Sequence, residues 1–388
     1  MILLRKIKSA FFHFNNFRNK IYHRYASFKE KKNVHAWFKI LIKNNPKVFI
    51  GSNINKPNGV DFHIRAIHKY VQHESVLMPE DKILQKITMD RFLDMYLKDF
   101  ELSQPAVLHS HVYPKYINWC LTQRNKNKSI KWVHTFHAHY FEDYAPDRVL
   151  LDWQKEFNRV FVDVASQADI RISVSKWQQL FYKENFNIDT IYIPNGVDVQ
   201  QCERANPNYF KNTYGLENFI LNVSRHDPVK NPREFVALAQ ELPDYTFVII
   251  GSEFSEKLFQ EHYQIKPPKN LRIFDKMTQM EVQHAIAASR CLVSTSKKEG
   301  LPTLVLEAMA QAKPVVVSNE PGSMEAIDNG KYGYFYTLGN IEELKNTTLE
   351  AIADKEIGAK ARQRILKEYD WRVVAEKLDA IYSSALNL

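Results

Sequence analysis

The sequence predicts an α/β protein with two doubly wound domains that face each other across a cleft. The length of 388 residues is typical of two domains at about 100–200 residues each. Short apolar runs alternate with helical patterns, which indicates parallel sheets covered on both faces. The turn-forming run IPNGVDV at 193–199 interrupts this alternation, which then restarts. We therefore predict a basic extension at 1–46, a first domain at 47–199 and a second at 200–371.

The N-terminal segment carries most of the positive charge. Residues 1–47 hold twelve Lys or Arg and one acid, Glu30, whereas the rest of the chain has 41 basic and 43 acidic residues. Apolar residues recur at three- and four-residue steps from Leu4 to Tyr25, which predicts an amphipathic helix. Lysines beside phenylalanines are typical of a helix on an anionic membrane surface. The alternative is a helix that packs on its own protein.

Other sequence features indicate the cellular compartment of the protein and the partners it is not expected to bind. The segment 1–46 is too interrupted for a signal peptide or a membrane-spanning helix. No recognisable nucleic-acid-binding motif accompanies it, so we expect no nucleic-acid partner. The three cysteines, Cys120, Cys202 and Cys291, are scattered, which favours core thiols in a reducing compartment. We expect a cytoplasmic protein, peripheral on the inner face of the plasma membrane.

The first domain is predicted from five apolar runs and one early helix. The runs are 47–51, 105–109, 131–136, 170–175 and 190–194, and the helix covers 61–73. The loop after the first run contains Gly59, where the backbone can approach a ligand closely. A complete GxGxxG is missing, so a dinucleotide site is not indicated.

Five histidines lie at two predicted strand ends of the first domain. His109 and His111 follow one run, and His134, His137 and His139 surround the end of the next. Zinc sites usually recruit a cysteine or a carboxylate at set spacing, and no HExxH occurs here, so a metal site is not expected. Packing and substrate contact both stay open for these side chains.

The second domain is predicted from runs at 219–224, 245–251, 271–274, 291–296 and 314–318 and a helix at 232–242. The loop VSRHDPVKNP places Arg225 and Lys230 just before that helix. Fixed positive charge beside a helix N-terminus favours an anion site. Two solvated surface cations are the simpler alternative.

The stretch KKEGLPTLVLEAMAQAKPVVVS at 297–318 carries two carboxylates around a predicted helix at 302–312. Glu299 precedes the helix and Glu307 lies inside it, so the two can reach different parts of one ligand. Carboxylates accept hydrogen bonds from sugar hydroxyls. A helix-dipole glutamate and an ordinary surface glutamate are the alternative.

The N-terminus of this helix is a second predicted anion site. Gly300 and Pro302 mark the turn before it. We expect unpaired amides that face the strand ends. These amides belong to Thr303, Leu304 and Val305.

Together these motifs resemble a known enzyme family. They are a glycine loop after the first strand, a TxH after a strand, IPNGVD, SRxDPxKN and EGLPTLVLEAMAxxKPVVVS. The sequence is similar to the retaining glycosyltransferases often called family 4, which have the GT-B fold of two Rossmann-like domains. The likeness covers about residues 47–385. Two departures are Asn58 before Gly59, in place of a glycine pair, and Gln311-Ala312 before Lys313.

The resemblance implies a role for each matching residue. Arg225 and Lys230 would contact the donor diphosphate, Glu307 the ribose and Glu299 the donor sugar. His137 would lie beside that sugar, and Gly59 near the phosphates and the acceptor. The helix from Trp371, about 372–388, would cross back onto the first domain. The full donor-binding set is Gly59, Arg225, Lys230, Gly300, Thr303, Leu304, Val305 and Glu307, and the catalytic set is Glu299, His137, Arg225 and Lys230.

The implied reaction is transfer of a hexose or N-acetylhexosamine from a nucleotide diphosphate sugar, with UDP preferred, to a glycan or lipid-linked hydroxyl with retained configuration. No DxD occurs, so neither a metal nor a cofactor is expected. A sugar-nucleotide epimerase of the same fold and an inactive sugar-nucleotide-binding scaffold are the alternatives.

Overall fold

The protein contains two six-stranded parallel sheets, each flanked by helices. The computed structural model describes residues 28–52, 59–144 and 149–387. The first sheet has the strand order β2-β1-β3-β4-β5-β6, and the second has β12-β11-β10-β7-β8-β9. Every pairing between neighbouring strands is parallel. The predicted fold class, two doubly wound α/β domains, is therefore confirmed.

The strands of the first sheet are β1 Val48–Gly51, β2 Ser75–Met78, β3 Ala106–Ser110, β4 Ile130–Phe136, β5 Ile170–Ser173 and β6 Ile191–Tyr192. Those of the second sheet are β7 Phe219–Val223, β8 Phe247–Ile250, β9 Leu271–Phe274, β10 Ser289–Ser294, β11 Val315–Ser318 and β12 Tyr334–Tyr336.

The helices around the first sheet are α1 28–44, α2 Gly59–Tyr70, α3 Asp81–Leu84, α4 Met89–Met95, α5 Pro114–Lys126, α6 Asp152–Arg159 and α7 Lys176–Phe186. The remaining helices are α8 Val199–Glu203, α9 Asn208–Tyr214, α10 Pro232–Glu241, α11 Glu256–Glu261, α12 Gln279–Ala288, α13 Thr303–Ala310, α14 Pro321–Ala326, α15 Ile341–Ala353, α16 Ile357–Arg364 and α17 Trp371–Asn387.

Most predicted strands form within one to three residues of their expected ends, because most of them are apolar runs buried on both faces. The partly exposed strands β6 and β9 are exceptions. Two strands were not predicted. The first, β2, has only four residues, and the other, β12, has three, of which Phe335 is 41% exposed.

Helix α1 packs on the first domain. Its residues Val34, Trp37, Phe38 and Leu41 are buried, at helical spacing, and the rings of Phe38 and Phe100 lie 4.6 Å apart. Five lysines of the same helix are exposed, and four of them, Lys29, Lys32, Lys39 and Lys43, share by helical spacing the face opposite these buried residues. For 28–44 the structure thus shows a helix that packs on its own protein and keeps a basic outer face. The predicted helix from Leu4 to Tyr25 lies outside the described residues.

The chain passes between the two sheets twice, and the two passages are hydrogen-bonded to each other. Val197 pairs with Asp370 in an isolated parallel bridge, and the Trp371 amide donates to the Val197 carbonyl at 3.0 Å. A Cβ on Gly196 would lie 2.5 Å from the indole of Trp371, so only glycine fits there. Beyond this crossing α17 packs on the first sheet through Val374, Leu378 and Tyr382 among other side chains.

The three cysteines are buried and free, in agreement with core thiols. Among the described residues, no helix combines the length and the apolar character that crossing a bilayer requires.

Candidate active site

Each sheet has a point where the strand order reverses, and the predicted site residues lie beyond the strand ends there. In the first sheet this point falls between β1 and β3, and in the second between β7 and β10. Ligands of open parallel sheets bind in the crevice outside the carboxyl ends of strands at such a point. Gly59 follows β1, Arg225 and Lys230 follow β7, and Glu299 follows β10.

A cleft of about 680 Å³ lies between the two domains and is lined by residues of both. A second cavity of about 300 Å³ adjoins it, because Gly59, Asn195 and Thr303 line both. Glu299 lines the larger cavity and Glu307 the smaller one. The two predicted carboxylates therefore face different parts of one continuous space.

Lys230 and Glu299 form an ion pair at the wall of the cleft. Lys230 Nζ donates to Glu299 Oε1, and the two side chains are 23% and 17% exposed. Thr295 supports the lysine loop, since its hydroxyl lies 2.9 Å from the Asn231 carbonyl oxygen. This direct contact was not predicted from the sequence, which assigned the two residues to separate parts of a ligand.

Arg225 lies at the mouth of the same cleft and keeps most of its guanidinium free for a ligand. The side chain is 66% exposed, and its Nε donates to Asp227 Oδ2 at 3.0 Å. The other carboxylate oxygen of Asp227 accepts from the Val229 amide at 3.0 Å, which shapes the loop that carries Lys230. Two cations thus lie on one loop, as an anion site requires.

Helix α13 begins at Thr303, one residue later than predicted, and ends at Ala310. The prediction that Val305 has an unpaired amide is wrong, because that amide donates to the Pro302 carbonyl at 3.1 Å. The amides of Thr303 and Leu304 precede the hydrogen-bond ladder of the helix and are the donors this terminus offers to an anion.

Glu307 lies one turn further along α13 and is held in place by a glutamine. Gln283 Nε2 donates to Glu307 Oε2 at 2.6 Å, and Gln311 Nε2 donates to the Gln283 oxygen at 2.7 Å. Burial raises the pKa of Glu307 to about 7. Ligand hydroxyls that donate to this carboxylate would favour its ionised form.

Gly300 is one of the points at which the two domains touch across the cleft. The indole Nε1 of Trp177 donates to the Gly300 carbonyl at 2.6 Å. A Cβ on Gly300 would lie 3.0 Å from the His137 carbonyl oxygen, which itself accepts from Gln178 Nε2 at 3.1 Å. A side chain at position 300 would require the His137 carbonyl or the Gln178 side chain to shift, so glycine keeps the Glu299 loop close to His137.

Three histidines of the first domain meet beside this contact. They are His63 on α2, His111 after β3 and His137 after β4, and one ring nitrogen of each lies within 4.8 Å of the others. The His111 Nδ1 and His137 Nε2 atoms are 3.0 Å apart and meet hydrogen-bond geometry. Burial lowers the pKa of His63 to about 3 and holds the pKa values of His111 and His137 well below the ordinary range. All three rings are therefore neutral at pH 7.

Neutral imidazoles at this spacing could also hold a transition metal. The hydrogen bond between His111 and His137, however, accounts for their close approach without an ion.

Two other histidines have packing roles. His109 is hydrogen-bonded to Tyr382 at 2.6 Å and Thr135 at 2.8 Å, and His134 to Ser110 at 2.8 Å. The remaining one, His139, lines the cleft, and burial lowers its pKa to about 4.

Several site residues escaped prediction. Four of them are Trp177, His63, Gly322 and Glu325. A Cβ on Gly322 would lie 2.2 Å from the Glu299 carbonyl oxygen, so the start of α14 touches the Glu299 loop. Glu325 accepts from the first two amides of α7 at 2.9 and 3.1 Å, across the domain boundary. All but His63 lie shortly after a strand, and that position was the available signal.

Two family profiles match the chain. The one described as Glycosyl transferases group 1 matches residues 209–369, and the one described as Glycosyltransferase Family 4 matches residues 56–201.

Individual proteins match over most of the chain at low identity. The N-acetyl-alpha-D-glucosaminyl L-malate synthase of Bacillus anthracis is 23% identical over 85% of this chain and 88% of its own. The poly(ribitol-phosphate) alpha-N-acetylglucosaminyltransferase of Staphylococcus aureus is 22% identical over 87% of this chain and 64% of its own. The crystal structure of Anabaena HepE with UDP-glucose superimposes with a TM-score of 0.69 and 18% identity, over 87% of this chain and 100% of that one.

Proposed function

Because the chain belongs to the group 1 and family 4 glycosyltransferases, we propose that it moves a hexose or N-acetylhexosamine from a nucleotide diphosphate sugar to a hydroxyl group of a cell-surface glycan or lipid-linked acceptor. The observation that carries this proposal is the Lys230–Glu299 pair at the strand ends, which lines the same cleft as the N-terminus of α13. That arrangement offers cations for a diphosphate and a carboxylate for a sugar.

The donor would bind with its diphosphate between the cationic loop and α13. Departure of a nucleotide diphosphate leaves negative charge, and fixed donors aimed at that charge stabilise the transition state. Arg225, Lys230 and the first amides of α13 supply such donors. Glu307 would accept hydrogen bonds from the ribose in the smaller cavity, and Glu299 would face the sugar. With this charge neutralised by the chain itself, the reaction proceeds without a divalent cation.

The comparisons support a UDP-sugar and retention of configuration. HepE was crystallised with UDP-glucose, and the names of both relatives specify an alpha-linked product. The glucose of UDP-glucose is itself alpha-linked to the diphosphate. A transfer from an alpha-linked donor to an alpha-linked product keeps the anomeric configuration, and in this site the leaving phosphate would take the acceptor proton on the same face.

The acceptor would be bound to a membrane, on the cytoplasmic side. The outer face of α1 presents Lys29, Lys32, Lys39 and Lys43 together with Ile40, which is 49% exposed. Each lysine near an anionic surface contributes about 1 kcal/mol to binding. This face would hold the protein, peripherally, where lipid-linked acceptors are found.

A donor screen tests the reaction. Purified protein is incubated with UDP-, GDP- and ADP-sugars, with and without a lipid extract, and nucleotide release is measured. We expect release from a UDP-sugar that rises with the extract, survives EDTA and falls in the Arg225→Ala and Glu299→Gln variants. Conversion of the sugar without nucleotide release would show an epimerase. Binding of UDP with neither reaction would show a scaffold.

Co-sedimentation with phosphatidylglycerol vesicles tests the membrane face. Replacing Lys29, Lys32, Lys39 and Lys43 by glutamate should abolish binding that is strong at low salt. The matched control reverses four exposed lysines of the second domain, Lys257, Lys266, Lys269 and Lys276. Equal loss in both variants would show a general charge effect and refute a docking role for α1.

A further inference from the structure

The histidine pair His111–His137 carries a proton whose location can be worked out from burial. His137 lines the cleft, whereas His111 lies behind it and is 2% exposed. Their nitrogens Nδ1 of His111 and Nε2 of His137 are 3.0 Å apart in a hydrogen bond. Since both rings are neutral, one of these two nitrogens carries the proton and the other accepts it.

The second nitrogen of His111 decides between the two arrangements. Its Nε2 is buried and has no hydrogen-bond partner among the described residues. If His137 donated, His111 would have to carry its own proton on Nε2, as a buried N–H without an acceptor. Orphaned buried N–H groups are rare, and unsatisfied acceptors are less so. The favoured arrangement has the His111 proton on Nδ1, donated to His137 Nε2.

We propose that His111 is a positioning residue that fixes His137 as the tautomer protonated on Nδ1, so that His137 offers the cleft an N–H donor. This inference rests on the proposed function, because the group that would accept from His137 is an oxygen of the donor sugar. The rings around the pair restrict its rotation. The His63 ring stands edge-on to His137 at 4.6 Å, and His109 packs on His111 at 4.3 Å.

Nitrogen-15 NMR of the full chain labelled on histidine tests the tautomer without any assay of activity. Protonated and unprotonated ring nitrogens differ strongly in chemical shift, and the His137→Gln variant assigns the signals. We expect both His137 and His111 to be protonated on Nδ1 and bare on Nε2. Protonation of His137 on Nε2 would overturn the proposal, whatever the protein transfers. Stoichiometric zinc in the purified protein, lost in His111→Asn, would also overturn it.

Kinetics test whether the tautomer matters. An asparagine at 111 keeps an N–H donor near the Nδ1 position, whereas a phenylalanine fills the ring volume without one. We expect His111→Phe to lower kcat/KM for the donor about tenfold, the value of one hydrogen bond, and His111→Asn to restore most of it. His134→Phe, on β4 just before His137 but away from the cleft, controls for the loss of a buried imidazole.

A double variant separates positioning from packing. If His111 acts through His137, adding His111→Phe to His137→Gln lowers kcat/KM no further than His137→Gln does alone. Multiplying losses would show that His111 acts independently and would overturn the proposal. If no donor supports transfer, the proposed function fails while the NMR result still supports or refutes the tautomer.

Discussion

Replacing Lys230 by methionine should weaken the binding of UDP far more than the loss of the neighbouring charge of Lys297. Methionine keeps much of the length of the side chain but removes the ammonium group that, under the proposed function, donates to the diphosphate. A hydrogen bond to a charged group contributes about 1.5–3 kcal/mol, which corresponds to roughly a 10- to 150-fold rise in Kd. The variant also leaves Glu299, which is 17% exposed, as an unpaired carboxylate beside the proposed diphosphate site. We therefore expect the upper part of that range, measured by calorimetry with UDP.

The partner variant should behave in the opposite way. In the free protein Glu299 holds Lys230, so a diphosphate has to compete with this carboxylate for the ammonium group. Glu299→Gln removes that competition, and we expect UDP to bind as tightly as to the wild type or more tightly. Transfer should nevertheless slow at least tenfold, because the carboxylate that we propose to face the sugar is gone.

The matched control is Lys297→Met, which removes one charge from the neighbouring loop at a residue that does not line the cleft. It should change the Kd for UDP less than twofold. Melting temperatures of all three variants separate a binding effect from unfolding. Unchanged affinity in Lys230→Met, or an equal loss of affinity in Glu299→Gln, would refute the reasoning.

Three further predictions concern Glu307, Gly322 and Glu325. Burial raises the Glu307 pKa from 4.5 to about 7, so the protonated carboxyl contributes fully to stability below pH 4.5 and this contribution is lost as the pH rises to 7. The melting temperature of the wild type should therefore fall relative to that of Glu307→Gln over this range. Parallel pH profiles of the two melting temperatures would contradict this. Gly322→Ala places a Cβ 2.2 Å from the Glu299 carbonyl, so kcat should fall at least tenfold, and unchanged kcat would show that the loop adapts. Glu325→Ala removes the acceptor of two α7 amides, which should cost about 1 kcal/mol in denaturant unfolding, with Glu325→Gln recovering part of it; equal stability would show that water replaces the carboxylate.

The site residues that could be predicted from the sequence are those that directly follow a predicted strand, because this position places them at the carboxyl edge of the sheet. Arg225, Lys230 and Glu299 each follow an apolar run, and parallel strands bring all their carboxyl ends to one edge. These three residues could be predicted because their placement depends only on the order of strands and loops along the chain. The same reasoning correctly placed α13 between Glu299 and the following strand.

Contacts between distant segments could not be predicted. Lys230 and Glu299 are 69 positions apart, and the sequence contains no mark that they bond to each other. In the sequence His63 belongs to a predicted helix and His111 to a loop after a strand, and nothing relates the two. In the fold their ring centroids lie 5.7 Å apart. The Val305 amide was predicted to be free for a ligand. Its hydrogen bond to the Pro302 carbonyl depends on the backbone geometry of the first turn of α13, which residue types do not determine. Pair contacts arise from packing, whereas sequence patterns report which face is buried.

The passage of the chain through Val197 and Asp370 has a consequence for engineering. The second domain is a single continuous stretch, but the first is assembled from both ends of the protein, because α17 completes its core through Val374, Leu378 and Tyr382. A chimera that exchanges donor domains must therefore have two junctions, one near each of these two residues, and must keep α17 with its own first domain. Expressing the N-terminal half alone would leave the face of the first sheet that α17 covers exposed to water.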